Sequence, residues 1–163
     1  MGRKGRSFLN QRVFHANTPA DMERIGSRVA AGLFPGAFVA LRGEMGAGKT
    51  VFSRGVGLAL HTEEVRSPTF TIVQEHDTCP PLFHFDAYRV SEEELYDIGF
   101  DDYLSRNGII LLEWPQNVPG ILPPARLEVE ITGSGDEVRT VTLRALGEPY
   151  ETLLQTWDED EKQ

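Results

Sequence analysis

The stretch LRGEMGAGKTVF, Leu41 to Phe52, decides the fold. Within it, Gly43-Glu-Met-Gly-Ala-Gly48-Lys49-Thr50 has the form G-x-x-x-x-G-K-[ST], a phosphate loop. Such a motif needs the right neighbours. Ala37–Leu41 before it is nearly all apolar, as in a strand covered on both faces. Lys49–Leu60 behind it can run as a helix. Strand, loop and helix in that order let backbone N–H groups cradle phosphate oxygens while the positive end of the helix faces them. The reading predicts a nucleotide bound by Gly43, Glu44, Met45, Gly46, Ala47, Gly48, Lys49, Thr50 and Val51. Lys49 should reach the β- and γ-phosphates, and the Thr50 hydroxyl should bind magnesium.

Working outward, Arg12–Ala16 can form a short strand. Thr18-Pro-Ala-Asp21 then has the marks of a helix start: an N-cap hydroxyl, proline at the first position and a variant capping box. Met22, Ile25, Val29 and Leu33 fall on one face, and Pro35-Gly36 ends that helix. Thr69–His76 and Leu82–Asp86 are expected as strands of a hairpin around Cys79-Pro-Pro81. Ser91-Glu-Glu-Glu94 opens a helix that Gly99 breaks, and Asp101–Ser105 is expected as a turn. Ile109–Leu112 is a buried-strand run ending in Glu113-Trp114-Pro115. Arg126–Ile131 and Val138–Leu143 flank the hairpin turn Gly133-Ser-Gly-Asp136, and Pro149–Trp157 can form a last helix. The fold class is α/β, a P-loop NTPase-like three-layer arrangement with a central mixed β-sheet.

Composition sets limits. A chain of 163 residues fits one domain. The expected division is a flexible basic arm over 1–11, one phosphate-loop domain over 12–157 and an acidic tail over 158–163. No apolar run nears the ~20 residues that span a bilayer, and the expected location is the cytoplasm. The formal charge of −9 argues against nucleic-acid binding by the surface as a whole, and no direct DNA binding is expected. Residues 1–12 nevertheless carry Arg3, Lys4, Arg6 and Arg12 and no acid. The one cysteine, Cys79, has no partner for an internal disulfide and reads as a loop thiol.

Hydrolysis needs acids as well as a loop. Asp86 and Glu113 each end an apolar strand, where both can reach the carboxyl edge of the sheet. Asp86 is assigned to magnesium, and Glu113 to the attacking water or the outer metal shell, a division that the pattern leaves reversible. Trp114 is either a core aromatic or a ring that stacks beside the site. His84, two residues before Asp86, lacks the further ligands of a metal site and reads as structural. Arg66-Ser-Pro-Thr69 is either a plain turn or a segment that senses the γ-phosphate. No N-K-x-D or D-x-x-G is present, so nothing points to a guanine switch. Three functions stay open on these residues: an accessory ATPase, a small-molecule kinase using Arg89 and Arg106, and a non-catalytic nucleotide sensor.

Taken in order, Gly43–Thr50, Ser67-Pro-Thr-Phe70, His84-Phe-Asp-Ala-Tyr-Arg89 and Glu113-Trp-Pro115 resemble the bacterial TsaE family. These are the small ATPases of tRNA threonylcarbamoyladenosine biosynthesis. The first motif is generic; the other three, in this order and spacing, are specific. The resemblance runs from about Thr18 to about Leu143. It implies an ATPase, weak alone, with ATP/ADP and Mg2+ as cofactors. It also implies a TsaB–TsaD protein pair as partner, tRNA reached through that pair, and no membrane. By residue match, Lys49 and Thr50 would bind phosphate and magnesium, and Asp86 would be a metal-site acid. Glu113 and Trp114 would be needed for hydrolysis, and Thr69 would be the switch hydroxyl. The loop has Glu44-Met45 where the family commonly has Asp-Leu, swaps that keep charge and apolarity.

Overall fold

The computed structural model describes residues 10–62 and 72–161, the last four of these as backbone only. The switch reading for 67–70, Thr69 included, and most of the basic arm lie outside the described residues.

The first strand is β1 (Gln11–Ala16), followed by α1 (Pro19–Ala31). The start of α1 is fixed as its sequence requires. The Asp21 amide donates to the Thr18 hydroxyl at 3.1 Å, and the Thr18 amide donates back to the Asp21 carboxylate at 3.2 Å. Next come β2 (Phe38–Gly43) and α2 (Lys49–Ala59), joined by the glycine-rich loop. The hairpin β3 (Val73–His76) and β4 (Leu82–Asp86) pairs antiparallel, as expected. Two six-residue helices follow, α3 (Glu92–Asp97) and α4 (Phe100–Ser105). The expectation of a turn over Asp101–Ser105 was therefore wrong. Gly99, at φ 93°, lets the chain restart as a helix, and the aromatic side chain of Phe100 is fully buried beneath it. The remaining elements are β5 (Ile109–Glu113), two short 3₁₀ turns, the hairpin β6 (Arg126–Thr132) and β7 (Arg139–Leu146), and α5 (Tyr150–Glu161).

The seven strands among the described residues form one sheet in the order β1-β7-β6-β2-β5-β4-β3. The central four, β6-β2-β5-β4, are parallel; β7 and β3 run against them. All four parallel strands therefore end at one edge, and β2 delivers the phosphate loop there. Side chains alternate between two cores. One face carries Val39, Leu41, Leu82, Ile109 and Leu111 under α1, α2 and α5. The other carries Phe38, Ala40, Phe83, Phe85, Ile110 and Leu112 against Leu95 and Phe100 of α3 and α4.

The helix that leaves the loop is fixed by its crossing with α1. α1 and α2 cross almost backbone to backbone. A Cβ on Gly26 would lie 2.2 Å from the Phe52 carbonyl oxygen, and one on Gly55 would lie 2.1 Å from that of Glu23. Ser27 donates to the Gly55 carbonyl at 2.7 Å across the same crossing. At the other end of β2, the buried Tyr150 hydroxyl accepts the Phe38 amide at 2.8 Å, satisfying a backbone donor with no ladder partner there.

Candidate functional site

Sequence reasoning placed Asp86 and Glu113 at the sheet edge, and the structure brings them together. Asp86 and Glu113 are directly paired residues of parallel neighbours β4 and β5. Leu41, two residues before Gly43, pairs with Glu113 from the other side. Paired residues point to the same face, so both carboxylates lie on the face covered by α2, whose first residue is Lys49. Gly48 precedes it at φ 114°, a backbone state that only glycine enters easily, and this turns the chain from loop into helix.

Lys49 is 8% exposed. Its Nζ donates to the Gly43 carbonyl at 2.6 Å and lies 3.7 Å from the Trp114 ring centroid, a cation–π contact. Burial pulls this ammonium below the ordinary lysine range, against the charges of Glu113, Asp86 and Glu44, which favour it. Trp114 is half-buried at φ 63°, and Tyr88 packs on it with centroids 4.8 Å apart. The ring thus packs against Lys49 and Tyr88 and also against the core of Phe38, Phe85 and Leu112. Asp86 is half-buried too. Burial pushes its carboxyl above the ordinary aspartate range, opposed by the Tyr88 amide, which donates to Oδ1 at 2.9 Å. Glu113 is 3% exposed, and its Oε2 meets the buried His84 Nε2 at 2.6 Å.

Among the described residues there is no group of three or more His, Cys, Asp or Glu that could hold a metal ion by itself. Magnesium bound with a nucleotide does not need one, because phosphates and water supply most of its octahedral oxygens. The free oxygen of Asp86 and the hydroxyl of half-buried Thr50 form the small hard-oxygen set that such an ion accepts. The residues fit the ion.

One residue of the site had no sequence signal. Arg139, at the start of β7, donates through Nε to the Ala47 carbonyl at 3.1 Å and through Nη2 to the Gly46 carbonyl at 3.2 Å. It also bonds the Gly135 and Glu137 carbonyls of the β6–β7 turn at 3.0 and 2.5 Å. The guanidinium thus straps the phosphate loop to a hairpin about 90 residues further on. Beside it lies a cavity of about 360 Å³, lined by Asn17, Thr18, Met22, Ala47 and Val51 with Glu137 at its rim. His84 did carry a signal. Residues two apart on a strand share a face, so H-x-D places it beside Asp86. Of the two arginines considered for a kinase, Arg106 bonds Glu75 at 2.7 Å and lies over the Phe83 ring, while Arg89 is exposed.

A mixed sheet whose central strand feeds a G-x-x-x-x-G-K-T loop into a helix, with two strand-end carboxylates facing its lysine, defines the P-loop nucleotide-binding class. The family model described as "Threonylcarbamoyl adenosine biosynthesis protein TsaE" matches residues 16–141, and the chain belongs to that family. A Bacillus subtilis protein named tRNA threonylcarbamoyladenosine biosynthesis protein TsaE is 39% identical over 150 residues, 90% of this chain and 94% of that one. A Streptomyces coelicolor protein of the same name is 40% identical over 141 residues, 80% of this chain and 95% of that one. The crystal structure of Bacillus subtilis YdiB superposes with a TM-score of 0.80 at 33% identity, covering 93% of this chain and 96% of that one. No helix among the described residues is long and apolar enough to cross a membrane.

Proposed function

We propose that this chain binds and hydrolyses ATP as an accessory subunit of the machinery that makes threonylcarbamoyladenosine in tRNA, acting on a TsaB–TsaD-like pair. The observation that carries the reading is the convergence of Lys49, Asp86 and Glu113 at the sheet edge where the phosphate loop begins. The names of the relatives supply the process.

In this reading Gly43–Val51 hold the phosphates with backbone amides, and the cavity between Asn17, Met22 and Val51 takes the base. Lys49 exchanges its bond to the Gly43 carbonyl for the β- and γ-phosphate oxygens, a group already desolvated for that exchange. Thr50 and Asp86 would hold magnesium, whose chemistry there is to neutralise charge on the phosphates. Glu113, nearly dry, orients the attacking water and accepts its proton. Trp114 keeps Lys49 aimed and closes the site from solvent. With Arg106 held by Glu75, the described residues offer little of the cationic lid that a small-molecule kinase places over the transferred phosphate.

The test is phosphate release from Mg-ATP by the purified protein, alone and with a TsaB–TsaD pair. Slow release that rises on mixing is expected. Rapid phosphorylation of a nucleoside or sugar without partners would overturn the reading, as would a rate indifferent to the pair.

A further inference from the structure

We infer that His84 is the positioning residue for Glu113: it fixes one oxygen of that carboxylate so that the other faces the attacking water. The inference rests on the hydrolytic reading above and assigns a role within the same site.

Four observations support it. His84 is fully buried and Glu113 is 3% exposed, so the Nε2–Oε2 contact of 2.6 Å is shielded from water, where a hydrogen bond is strongest. The register places them diagonally. His84 pairs with Leu111 and Asp86 pairs with Glu113, so the imidazole reaches Glu113 from beneath, along the face that Asp86 shares. The bond is also the only one that the ring makes: Nδ1 is buried with no hydrogen-bond partner among the described residues. A histidine kept merely to fill the core would be replaced at lower cost by an apolar side chain, because a buried polar atom without a partner is penalised. Finally, Lys49 is near enough to feel the charge of Glu113, and without a second anchor that carboxylate could turn toward the ammonium. Nε2 as donor engages Oε2 and leaves Oε1 for the water.

This reasoning makes three variants behave differently. His84→Leu fills the volume without a donor. Its kcat for ATP should fall about 10- to 100-fold, the range for a reacting group displaced by up to ~1 Å, with KM within twofold. His84→Gln, whose side-chain amide nitrogen reaches about as far as the imidazole Nε2, should recover most of that loss. The double variant His84→Leu/Glu113→Gln should be no slower than Glu113→Gln alone, because the histidine acts only through the glutamate. The inference is overturned if His84→Leu keeps kcat within twofold, if His84→Gln is as slow as His84→Leu while folded, or if the two losses multiply. If His84→Leu does not fold, the comparison of His84→Gln with Glu113→Gln and their double variant decides. Failure of the hydrolytic reading looks different: the unaltered chain would then release no phosphate from Mg-ATP, or Glu113→Gln would release it at the unaltered rate.

Discussion

The contacts of Arg139 predict a loss of nucleotide affinity from a residue outside every motif. Two of its bonds go to carbonyls of the phosphate loop, at 3.1 and 3.2 Å, and two go to the β6–β7 turn. With Ala47 and Gly46 carbonyls held by the guanidinium, the loop would keep the shape in which its other amides can meet a bound nucleotide. A bond to a charged donor is worth ~1.5–3 kcal/mol when buried, and half-exposure at Arg139 reduces each to ~1 kcal/mol. Losing both removes about 2 kcal/mol of restraint on the loop, which the nucleotide must then supply. Arg139→Met, which keeps the aliphatic stem, should therefore raise the Kd for ADP about 30-fold. Arg139→Lys should fall between, since one ammonium cannot fork to two carbonyls and the turn together. Titration calorimetry with ADP and magnesium reads this directly. Arg144→Met is the control: it lies on the same strand, bonds Gln11 at 3.4 Å, and should leave the Kd within twofold. An Arg139→Met protein that is folded and binds ADP within twofold of the unaltered chain would refute the strap.

Three further outcomes follow from the geometry. Asp86→Asn should raise the melting temperature of the nucleotide-free protein while weakening magnesium-dependent ATP binding far more than metal-free binding. Burial raises the folded pKa of Asp86, so its contribution to stability is present below the unfolded pKa and is lost as pH rises through the folded one. The advantage of Asn should accordingly grow with pH across that interval, and a flat difference between pH 4 and pH 8 would refute it. Gly55→Ala should force α1 and α2 apart, because its Cβ would sit 2.1 Å from the Glu23 carbonyl oxygen. Overpacking of this kind costs ~1–3 kcal/mol, or a melting temperature lower by about 3–10 °C, and calorimetry showing no fall would count against the close crossing. Tyr150→Phe should leave the Phe38 amide without its acceptor, at ~1–3 kcal/mol, and a melting temperature lowered by less than about 1 °C would show that water replaces the hydroxyl.

What was legible in the sequence was local. The capping box of Thr18 and Asp21, the loop between strand and helix, and the acids ending β4 and β5 each sit within a few residues of their own cause. That Asp86 and Glu113 are paired residues depends on β4 lying beside β5, a choice made by the whole sheet. His84 and Glu113 are 29 residues apart and meet only through that pairing. Arg139 is further still from the loop it holds, in a segment that reads as an ordinary hairpin. The glycines at 26 and 55 were readable in principle. Each costs ~1 kcal/mol in a helix interior, which calls for a packing reason, but neither names its partner. Asp101–Ser105 misled because so short a helix owes its existence to the burial of Phe100, not to propensity.

The pairing of β1 with β7 has a consequence for how the chain is made. Gln11 lies opposite Arg144 and Ala16 opposite Arg139, so β1 joins a strand synthesised more than 100 residues later. At ~5–20 residues per second, a translating ribosome needs on the order of 10 s between them. During that time β1 has no strand beside it, and Phe14 has not met Trp157, the ring it later packs against at 5.3 Å. Chains stalled before Arg139 should be cut by trypsin at Arg12, and chains stalled well beyond Leu146 should resist it. On the ribosome, β1 emerges long before the strand that gives it a place.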